Sequence, residues 1–440
     1  MTAAPFERRR FLAALAAAPV LAAVLQACSD DLGDDTDDTD DIDDTGSGDG
    51  AGVEELRSGL ARAAADPALA AVFATALGDT GLGLYRRLAA DAPTDNLVVS
   101  PASIALALAM ATAGARGTTA DEMVATLHAD ELDLQAAANS LEAALTARNG
   151  DDVRLSIANA TWLQRGMAVA PTFLDTLATA YGSGVEVVDF EADPDAARVD
   201  VNAWVDERTE GRIPDLLAPG TIDELTRFVL VNAVYLKAMW ADPFDPSITR
   251  DAPFTTAAGD TVEVPTMVKQ TELPYAAGDG WQAVEVPYVG GELAMLLFLP
   301  EPDFLPTFEE IFLVTDATQY LEPRLVLLSL PRWDTSGSFD LADQLSALGM
   351  PTAFTGAADF TGITTDEPLR IGAVIHQANI TVGEDGTEAA AATAVIGVAG
   401  AAPPEEEPIE LRFDRPFVFA LRDRTTGAVL FLGRVADPRG

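Results

Sequence analysis

Residues 96–123 read NLVVSPASIALALAMATAGARGTTADEM and predict a helix buried in the middle of a protein. The hydroxyl of Ser100 can cap the free N–H groups of the first turn, and Pro101 suits the first helical position because its missing donor costs nothing there. The run 104–110 is apolar on nearly every side, so this helix should expose no face to water. Gly114 is expected to end it.

A second helix is expected to follow at once, because Thr119 and Glu122 form a capping box. Helical composition is concentrated before residue 225 and β-like runs dominate after it, which indicates an α+β fold. One long strand carries Asn232 at its centre, where the amide must find partners or destabilise the sheet. The segments predicted to be strands are 153–163, 227–240, 293–300, 326–333, 369–382, 409–422 and 428–435.

Charge and composition exclude several functions. The 440 residues carry a formal net charge of −43, which argues against binding to nucleic acid or direct adhesion to anionic lipid because like charges repel. The chain has one cysteine, Cys28, and two histidines, His128 and His376, so we expect no internal disulfide, no metal site and no cofactor. No G-x-S-x-G elbow is present, and a hydrolase is not predicted.

Residues 1–27 are predicted to be an export signal. Arginines at 8–10 precede an Ala/Leu/Val run that is short for a bilayer span. The Arg-Arg-x-Phe-Leu string resembles a twin-arginine signal, and the residues ending at Cys28 resemble the bacterial lipobox, in which the cysteine is acylated. An ordinary cleaved signal with a chance cysteine is the alternative. We expect the protein in the cell envelope, lipid-anchored at the outer membrane or cell surface, or else secreted.

Residues 28–52 are predicted to be a lipidated, acidic, disordered linker. Its stretch 30–50 is nearly all Asp, Thr, Gly and Ser, which cannot bury enough apolar surface to offset the entropy of ordering. A calcium loop from Asp41 is a weak alternative, since its twelfth position would be Gly52 where a glutamate is required. Residues 53–440 show no further linker and are predicted to form one large domain.

Several segments resemble the serpin family, beginning with 96–123. The resemblance covers residues 75–437 and implies a serpin fold with three β-sheets, about nine helices and an exposed reactive-centre loop. In this fold the large sheet can accept one more strand. The further matching segments are VNAWVDERTEGRIPDLL (201–217), VLVNAVYLKAMWADPF (229–244), EVPYVGGELAMLLFLP (285–300), LPRWDTSGSFDLADQLSALGM (330–350), ADFTGI (358–363) and DRPFVFALRDRTTGAVLFLGRV (414–435).

The resemblance implies a serine protease inhibitor and not an enzyme. A serpin acts as a suicide substrate: the protease cleaves the loop, and the cut strand then inserts into the large sheet before hydrolysis is complete. The expected partners are serine proteases, and the expected state is a monomer that binds no nucleic acid. Two alternatives of other classes are a serpin-fold binding or chaperone-like module without inhibition, and a passive envelope lipoprotein.

The reactive loop is identified with residues 383–411. By composition alone, 388–394 favours a short helix and 397–404 a surface loop. As an inserted strand the segment would alternate, with Thr387 and every second residue to Val395 facing the core and Glu388 facing water. The residues that resemble the inhibitory serpin hinge are Glu384, Gly386, Thr387, Glu388, Ala389, Ala390, Ala391, Ala392 and Thr393.

The cleaved bond in the family lies about fifteen residues beyond the hinge glycine, which indicates Gly400–Ala401 here. Val398–Ala399 and Ala399–Gly400 are the alternatives. All these residues are small and uncharged, so elastase-like or subtilisin-like targets are expected. The glutamates at 405–407 are either a solvated run or a charge that favours basic proteases.

The resemblance also assigns a buried polar cluster, the shutter, to Ser100, Ser103, Asn232 and His376. It places Trp240 at the top of the sheet that opens, the region called the breach. A plain core histidine and a plain core aromatic are the alternatives.

Overall fold

All twelve residues of the helix Pro101–Thr112 are buried in the computed structural model, which describes residues 52–312, 314–388 and 407–440. The predicted cap is confirmed, because the hydroxyl of Ser100 accepts the amide of Ser103 at 3.3 Å. The predicted capping box at Thr119 and Glu122 is wrong. Both side chains bond to residues of a distant segment, 352–359, and tertiary contacts therefore replace the local cap.

The described residues contain nine α-helices and sixteen strands. The helices are α1 (Pro67–Asp91), α2 (Pro101–Thr112), α3 (Gly117–Thr126), α4 (Leu134–Thr146), α5 (Pro171–Tyr181), α6 (Pro194–Arg208), α7 (Leu305–Ile311), α8 (Val314–Thr318) and α9 (Ala342–Leu348). The strands are β1 (Glu54–Leu56), β2 (Leu97–Val99), β3 (Val153–Gln164), β4 (Val185–Val188), β5 (Phe228–Met239), β6 (Arg250–Thr255), β7 (Thr261–Gly278), β8 (Trp281–Pro287), β9 (Leu293–Pro300), β10 (Glu322–Pro331), β11 (Trp333–Asp340), β12 (Ala373–Val382), β13 (Gly386–Thr387), β14 (Ile409–Arg412), β15 (Phe417–Asp423) and β16 (Val429–Val435).

Seven strands form what we call the large sheet, in the order β1-β4-β3-β5-β13-β12-β11. Strands β5 and β12 are parallel and pair directly along one half of their length, Val229–Val234 with Ala373–Ala378. The two-residue strand β13 lies between them at the other end and is antiparallel to both. We call the line along which β5 meets β12 the seam.

The other nine strands form one hydrogen-bonded network instead of two further sheets. Strand β7 joins them, because its eighteen residues pair in succession with β6, β10 and β8. The resemblance predicted three sheets, and the two smaller ones are continuous here through this strand.

Among the described residues, α1 is by length and composition the one helix that could cross a membrane. Half of its most apolar window is buried inside the protein, and Phe73 and Tyr85 are fully buried. It packs against α2, α4 and α9 as a core helix.

Candidate functional site at the seam of the large sheet

The beginning of the hinge is already part of the large sheet. Gly386 lies opposite Met239 of β5, and Thr387 lies opposite both Ala238 of β5 and Val382 of β12. Thr387 is completely buried. The sequence predicted an exposed loop over these residues; the structure differs because β5 and β12 diverge at this end and offer unpaired backbone groups that β13 satisfies.

Gly386 is the residue that permits this close approach. Its φ is +148°, and a Cβ at this position would lie 2.1 Å from the carbonyl oxygen of Ala238 and 2.8 Å from the Cα of Met239. Both obstacles are backbone atoms of β5, which cannot move without disturbing the sheet. A residue with a side chain therefore does not fit here.

Thr387 contacts a pair of stacked aromatic rings, those of Tyr288 and Trp240. The hydroxyls of Thr387 and Tyr288 are 2.6 Å apart, and the ring of Tyr288 stacks on Trp240 with centroids 4.4 Å apart. Burial raises the pKa of the Tyr288 hydroxyl well above its ordinary value, so it remains protonated. Trp240 also donates its indole N–H to the carbonyl of Gly383 and its amide to that of Asp385, which fixes the turn before β13.

Glu384 connects the turn 383–385 to Arg332 and Thr249. The guanidinium of Arg332 donates to its carboxylate, with Nε at 2.9 Å, and the hydroxyl of Thr249 donates at 2.6 Å. Burial alone would raise the pKa of Glu384, but these hydrogen bonds outweigh burial and hold it below its usual value. The carboxylate therefore stays charged and bonded at neutral pH.

Glu388 directly follows β13, and its side chain does not lie where it was expected. Its side chain was expected to face water, but it is only 5% exposed and its Oε2 lies 3.2 Å from Nε of Arg212, beside Tyr235. Burial raises the pKa of this carboxyl. The backbone of Glu388 has φ of +52°, a left-handed conformation that is uncommon for a residue with a side chain and that turns the chain out of the extended strand.

The four predicted shutter residues lie together, all fully buried, where α2 crosses the large sheet. The amide of Ser100 donates to Nε2 of His376 at 3.1 Å, so Nε2 carries no proton and Nδ1 donates to Oδ1 of Asn232. The amide nitrogen of Asn232 donates to the hydroxyl of Ser103 at 2.6 Å. Asn232 and His376 are opposite each other in the register of β5 and β12, so their hydrogen bond spans the seam.

Burial also determines the protonation state of His376. It lowers the pKa of the imidazole to about 3, because the charged form loses its hydration in the core. The network reinforces this preference, since a proton on Nε2 would face the N–H of Ser100. The shutter is therefore built around a neutral histidine.

Sequence reasoning missed one member of the cluster, Asn159. It lies opposite Asn232 in the register of β3 and β5, and its Oδ1 accepts from the Asn232 amide at 2.5 Å. Its own amide nitrogen donates to the carbonyl of Ser103 at 3.2 Å. The signal was present, because apolar residues directly flank Asn159 in β3 as they flank Asn232 in β5.

The remaining predicted site residues lie outside the described part of the chain. They are the signal 1–27 and Cys28, the hinge alanines Ala389, Ala390, Ala391 and Ala392 with Thr393, and the bond candidates Val398, Ala399, Gly400 and Ala401.

Comparison with known proteins assigns this architecture. Residues 75–438 match the family described as Serpin (serine protease inhibitor). The chain belongs to the serpin family. This serpin is 35% identical over 367 residues to a leukocyte elastase inhibitor of Bos taurus, with 81% of this chain and 96% of that protein covered. It is 39% identical over 361 residues to an uncharacterised serpin-like protein of Thermococcus kodakarensis, with 81% and 83% covered.

Solved structures agree with the serpin assignment. Uncleaved ovalbumin superposes with a TM-score of 0.75 at 26% identity, covering 82% of this chain and 99% of that one. Thyroxine-binding globulin in complex with thyroxine gives a TM-score of 0.75 at 28% identity, covering 83% and 99%. The predicted fold is thereby confirmed, and this serpin belongs to a family of inhibitors and not of enzymes.

Proposed function

We propose that this serpin inhibits serine-type proteases as a suicide substrate, by inserting its cleaved loop along the seam between β5 and β12. The single observation that carries the proposal is the position of β13. Gly386 and Thr387 already occupy the place of a new strand between β5 and β12, while the rest of the seam is closed. A cleaved loop that continued β13 along the seam would therefore extend a pairing that these two residues have already begun.

The pairing pattern supplies a driving force. Along the seam, β5 and β12 are parallel, and parallel pairs are slightly less stable per residue than antiparallel ones. A strand that continues β13 would be antiparallel to both neighbours. Insertion therefore exchanges one parallel ladder for two antiparallel ladders and buries the small side chains of the hinge.

Continuing the register of β13 identifies which loop residue would reach the shutter. Thr387 is opposite Ala238 and Val382, so a residue six positions farther on would lie opposite Asn232 and His376. That residue is Thr393. Insertion separates Asn232 from His376, and the hydroxyl of Thr393 can donate to one and accept from the other, which keeps both buried groups satisfied.

The length of the sheet supports displacement of the protease. Strand β5 has twelve residues, so a loop inserted along it carries its cut end about 40 Å at about 3.3 Å per residue. An acyl-linked protease would move by a similar distance. The protease would thereby be carried away from the end of the large sheet at which the turn 383–385 lies.

The target class follows from the residues around the proposed bond. Gly400 and Ala401 are small and uncharged, which suits a shallow apolar specificity pocket and gives no partner to an acidic one. We propose elastase-like or subtilisin-like proteases as targets. The similarity to a bovine protein named leukocyte elastase inhibitor supports this choice.

Incubation with a panel of proteases tests the proposal. An elastase and a subtilisin should each give an SDS-resistant complex. Mass spectrometry should show that the C-terminal fragment released by cleavage begins at Ala401. Trypsin is the matched control and should give neither complex nor cleavage at this bond. Cleavage by all panel members with no complex would instead support the binding or chaperone-like alternative.

We further propose that Cys28 carries a lipid that anchors the protein in the cell envelope, with residues 28–52 as the linker. The support is the lipobox-like end of the signal. In detergent phase separation of expressing cells, the wild-type protein should enter the detergent phase and the Cys28→Ala variant should stay in the aqueous phase. An equal distribution of both would contradict the anchor.

A further inference from the structure

We infer that residues 52–66, the clasp, fasten the outer half of the large sheet to the helices and so hold the seam closed before a protease arrives. The inference extends the proposed function, because it concerns the opening that strand insertion requires. The clasp precedes residues 75–438, the part of the chain that matches the family.

The first half of the clasp is the edge strand of the large sheet. Strand β1 pairs antiparallel with β4, and Leu56 lies opposite Val185. Gly184 makes this approach possible, since a Cβ there would lie 2.3 Å from the carbonyl oxygen of Leu56. The carbonyl of Gly52 also accepts a hydrogen bond from Arg165, which follows β3.

The second half of the clasp crosses onto α5. The hydroxyl of Ser58 donates to the carboxylate of Asp175 at 2.5 Å, and the amide of Ala63 donates to the carbonyl of Thr179 at 2.8 Å. The clasp therefore contacts a strand and a helix that follow each other in the chain.

Helix α4 carries a buried polar surface that matches the clasp. Asn139 is 2% exposed, and its Oδ1 accepts from Nε of Arg62 at 2.7 Å while its amide nitrogen donates to the carbonyl of Ala63 at 3.1 Å. Ser140, also 2% exposed, accepts the amide of Asp66 at 2.9 Å. Without the clasp, both side chains would lose these partners, so α4 is shaped to receive it.

Arg62 joins the clasp to α4 through three side-chain hydrogen bonds. Its Nη2 donates to the carboxylate of Glu142 at 3.1 Å and to the carbonyl of Asn139 at 3.2 Å.

The pairing of β1 with β4 is weak by comparison, because β1 has only three residues and places Glu55 opposite Glu186. Burial raises the pKa of Glu186 and Glu55 raises it further, against a hydrogen bond from Trp204, so like charges weaken the strand pairing. The helix contacts must therefore hold the clasp in place.

The consequence for the seam follows from strand order. Insertion widens the large sheet by one strand spacing, about 4.8 Å, between β5 and β12. The half β1-β4-β3-β5 must then move relative to the half β12-β11. The clasp ties the far edge of the first half to α4, and this connection opposes the movement.

The test compares variants that loosen the clasp with matched controls. Arg62→Met removes the contacts to α4, and Gly184→Ala displaces Leu56 without changing the clasp itself. Arg57→Met is the control within the clasp, since the Arg57 side chain is 47% exposed and pairs with Glu55 within the clasp itself. Gly150→Ala is the glycine control, because nothing lies within 4 Å of its Cβ position. Arg62→Lys, which keeps the charge, serves if Arg62→Met does not fold.

Hydrogen exchange of the uncleaved protein is the first measurement. Amides of β5 and β12 along the seam should exchange about tenfold faster in Arg62→Met and Gly184→Ala, and at the wild-type rate in both controls. The loop-cleaved forms should all exchange alike, because their sheet is already filled. If residues 54–63 exchange freely in a variant while its seam remains as protected as in the wild type, the clasp does not hold the seam.

The second measurement is the time over which each variant, stored without protease, loses its ability to form a complex. A loosened clasp should shorten it about tenfold. The exchange experiment needs no protease, so a wild-type protein that never forms a complex would refute the proposed function and leave the clasp to be judged on exchange alone.

Discussion

Asn232 and His376 hold each other across the seam, one from β5 and one from β12, and their hydrogen bond must break for a strand to enter between them. The same two side chains are tied to α2, His376 by the amide of Ser100 and Asn232 by the hydroxyl of Ser103. Beside the backbone ladder of β5 and β12, the seam is thus closed by a side-chain hydrogen bond that is supported from a buried helix.

The first prediction concerns pH. The pKa of His376 is lowered to about 3 in the folded protein from 6.5, so the folded state binds the proton less well than the unfolded state. Its contribution to stability is complete above pH 6.5 and is lost as the pH falls from 6.5 toward 3. Between pH 7.5 and 4.5 the loss is about 3 kcal/mol, at 1.4 kcal/mol per pKa unit.

His376→Gln isolates this contribution, because glutamine can both donate and accept but does not titrate. Urea unfolding of both proteins at pH 7.5 and 4.5 cancels the carboxylate titrations that they share. The wild type should lose about 3 kcal/mol more than the variant. Equal losses would show that His376 is not held neutral.

The second prediction concerns the hinge glycine. Gly386→Ala places a Cβ against the backbone of Ala238 and demands a φ of +148° from alanine. We expect β13 to leave the sheet, with a loss on the order of 3 kcal/mol in the free energy of unfolding. Gly383→Ala is the control in the same turn, where nothing lies within 4 Å. A Gly386→Ala protein in which the amide of Thr387 remains protected from exchange would contradict this account.

The third prediction separates inhibition from cleavage. Thr387→Arg would bury a guanidinium where Thr387 now contacts Tyr288, and a buried charge without a partner is costly. Elastase should cut the loop of this variant at the normal rate, yet the fraction trapped as an SDS-resistant complex should fall at least about tenfold. Thr387→Ser keeps the hydroxyl and should behave like the wild type. Full trapping by the arginine variant would argue against insertion at this place.

The fourth prediction tests the register of the inserted strand. Loop cleavage should raise the melting temperature of the wild type sharply. In Thr393→Val the cleaved form should lose about 1–2 kcal/mol, because Asn232 and His376 would be separated with no hydroxyl between them. Thr393→Ser should restore the difference, and the uncleaved forms of all three should melt together. A uniform effect on cleaved and uncleaved forms would show that Thr393 does not reach the shutter.

Strong local signals allowed much of the fold to be predicted. The cap at Ser100, the largely apolar α2 and the asparagine at the centre of β5 could each be predicted from neighbouring residues, and the family segments placed them in one architecture. The approach of His376 to Asn232 came from the resemblance and not from composition. Asn159 could have been found by the reasoning applied to Asn232.

Other features depend on tertiary contacts that no local pattern encodes. The burial of Glu388 is decided by Arg212, far away in sequence, and the capping box at Thr119 was overridden by partners near residue 355. The clasp is a further case. Its alanines and arginines predict neither strand nor helix strongly, and their position is determined by contacts with distant residues such as Asn139 and Ser140.

The acidic character of β1 has a consequence for crowded conditions. An exposed sheet edge is a template on which another molecule can add a strand and start a chain of aggregates. At its β1 edge the large sheet presents just three residues, with Glu54 and Glu55 exposed among them, so a second copy of the protein meets like charges and few backbone amides with which to pair. If the large sheet opens at the seam as proposed, this edge offers a neighbouring copy little to pair with in the meantime.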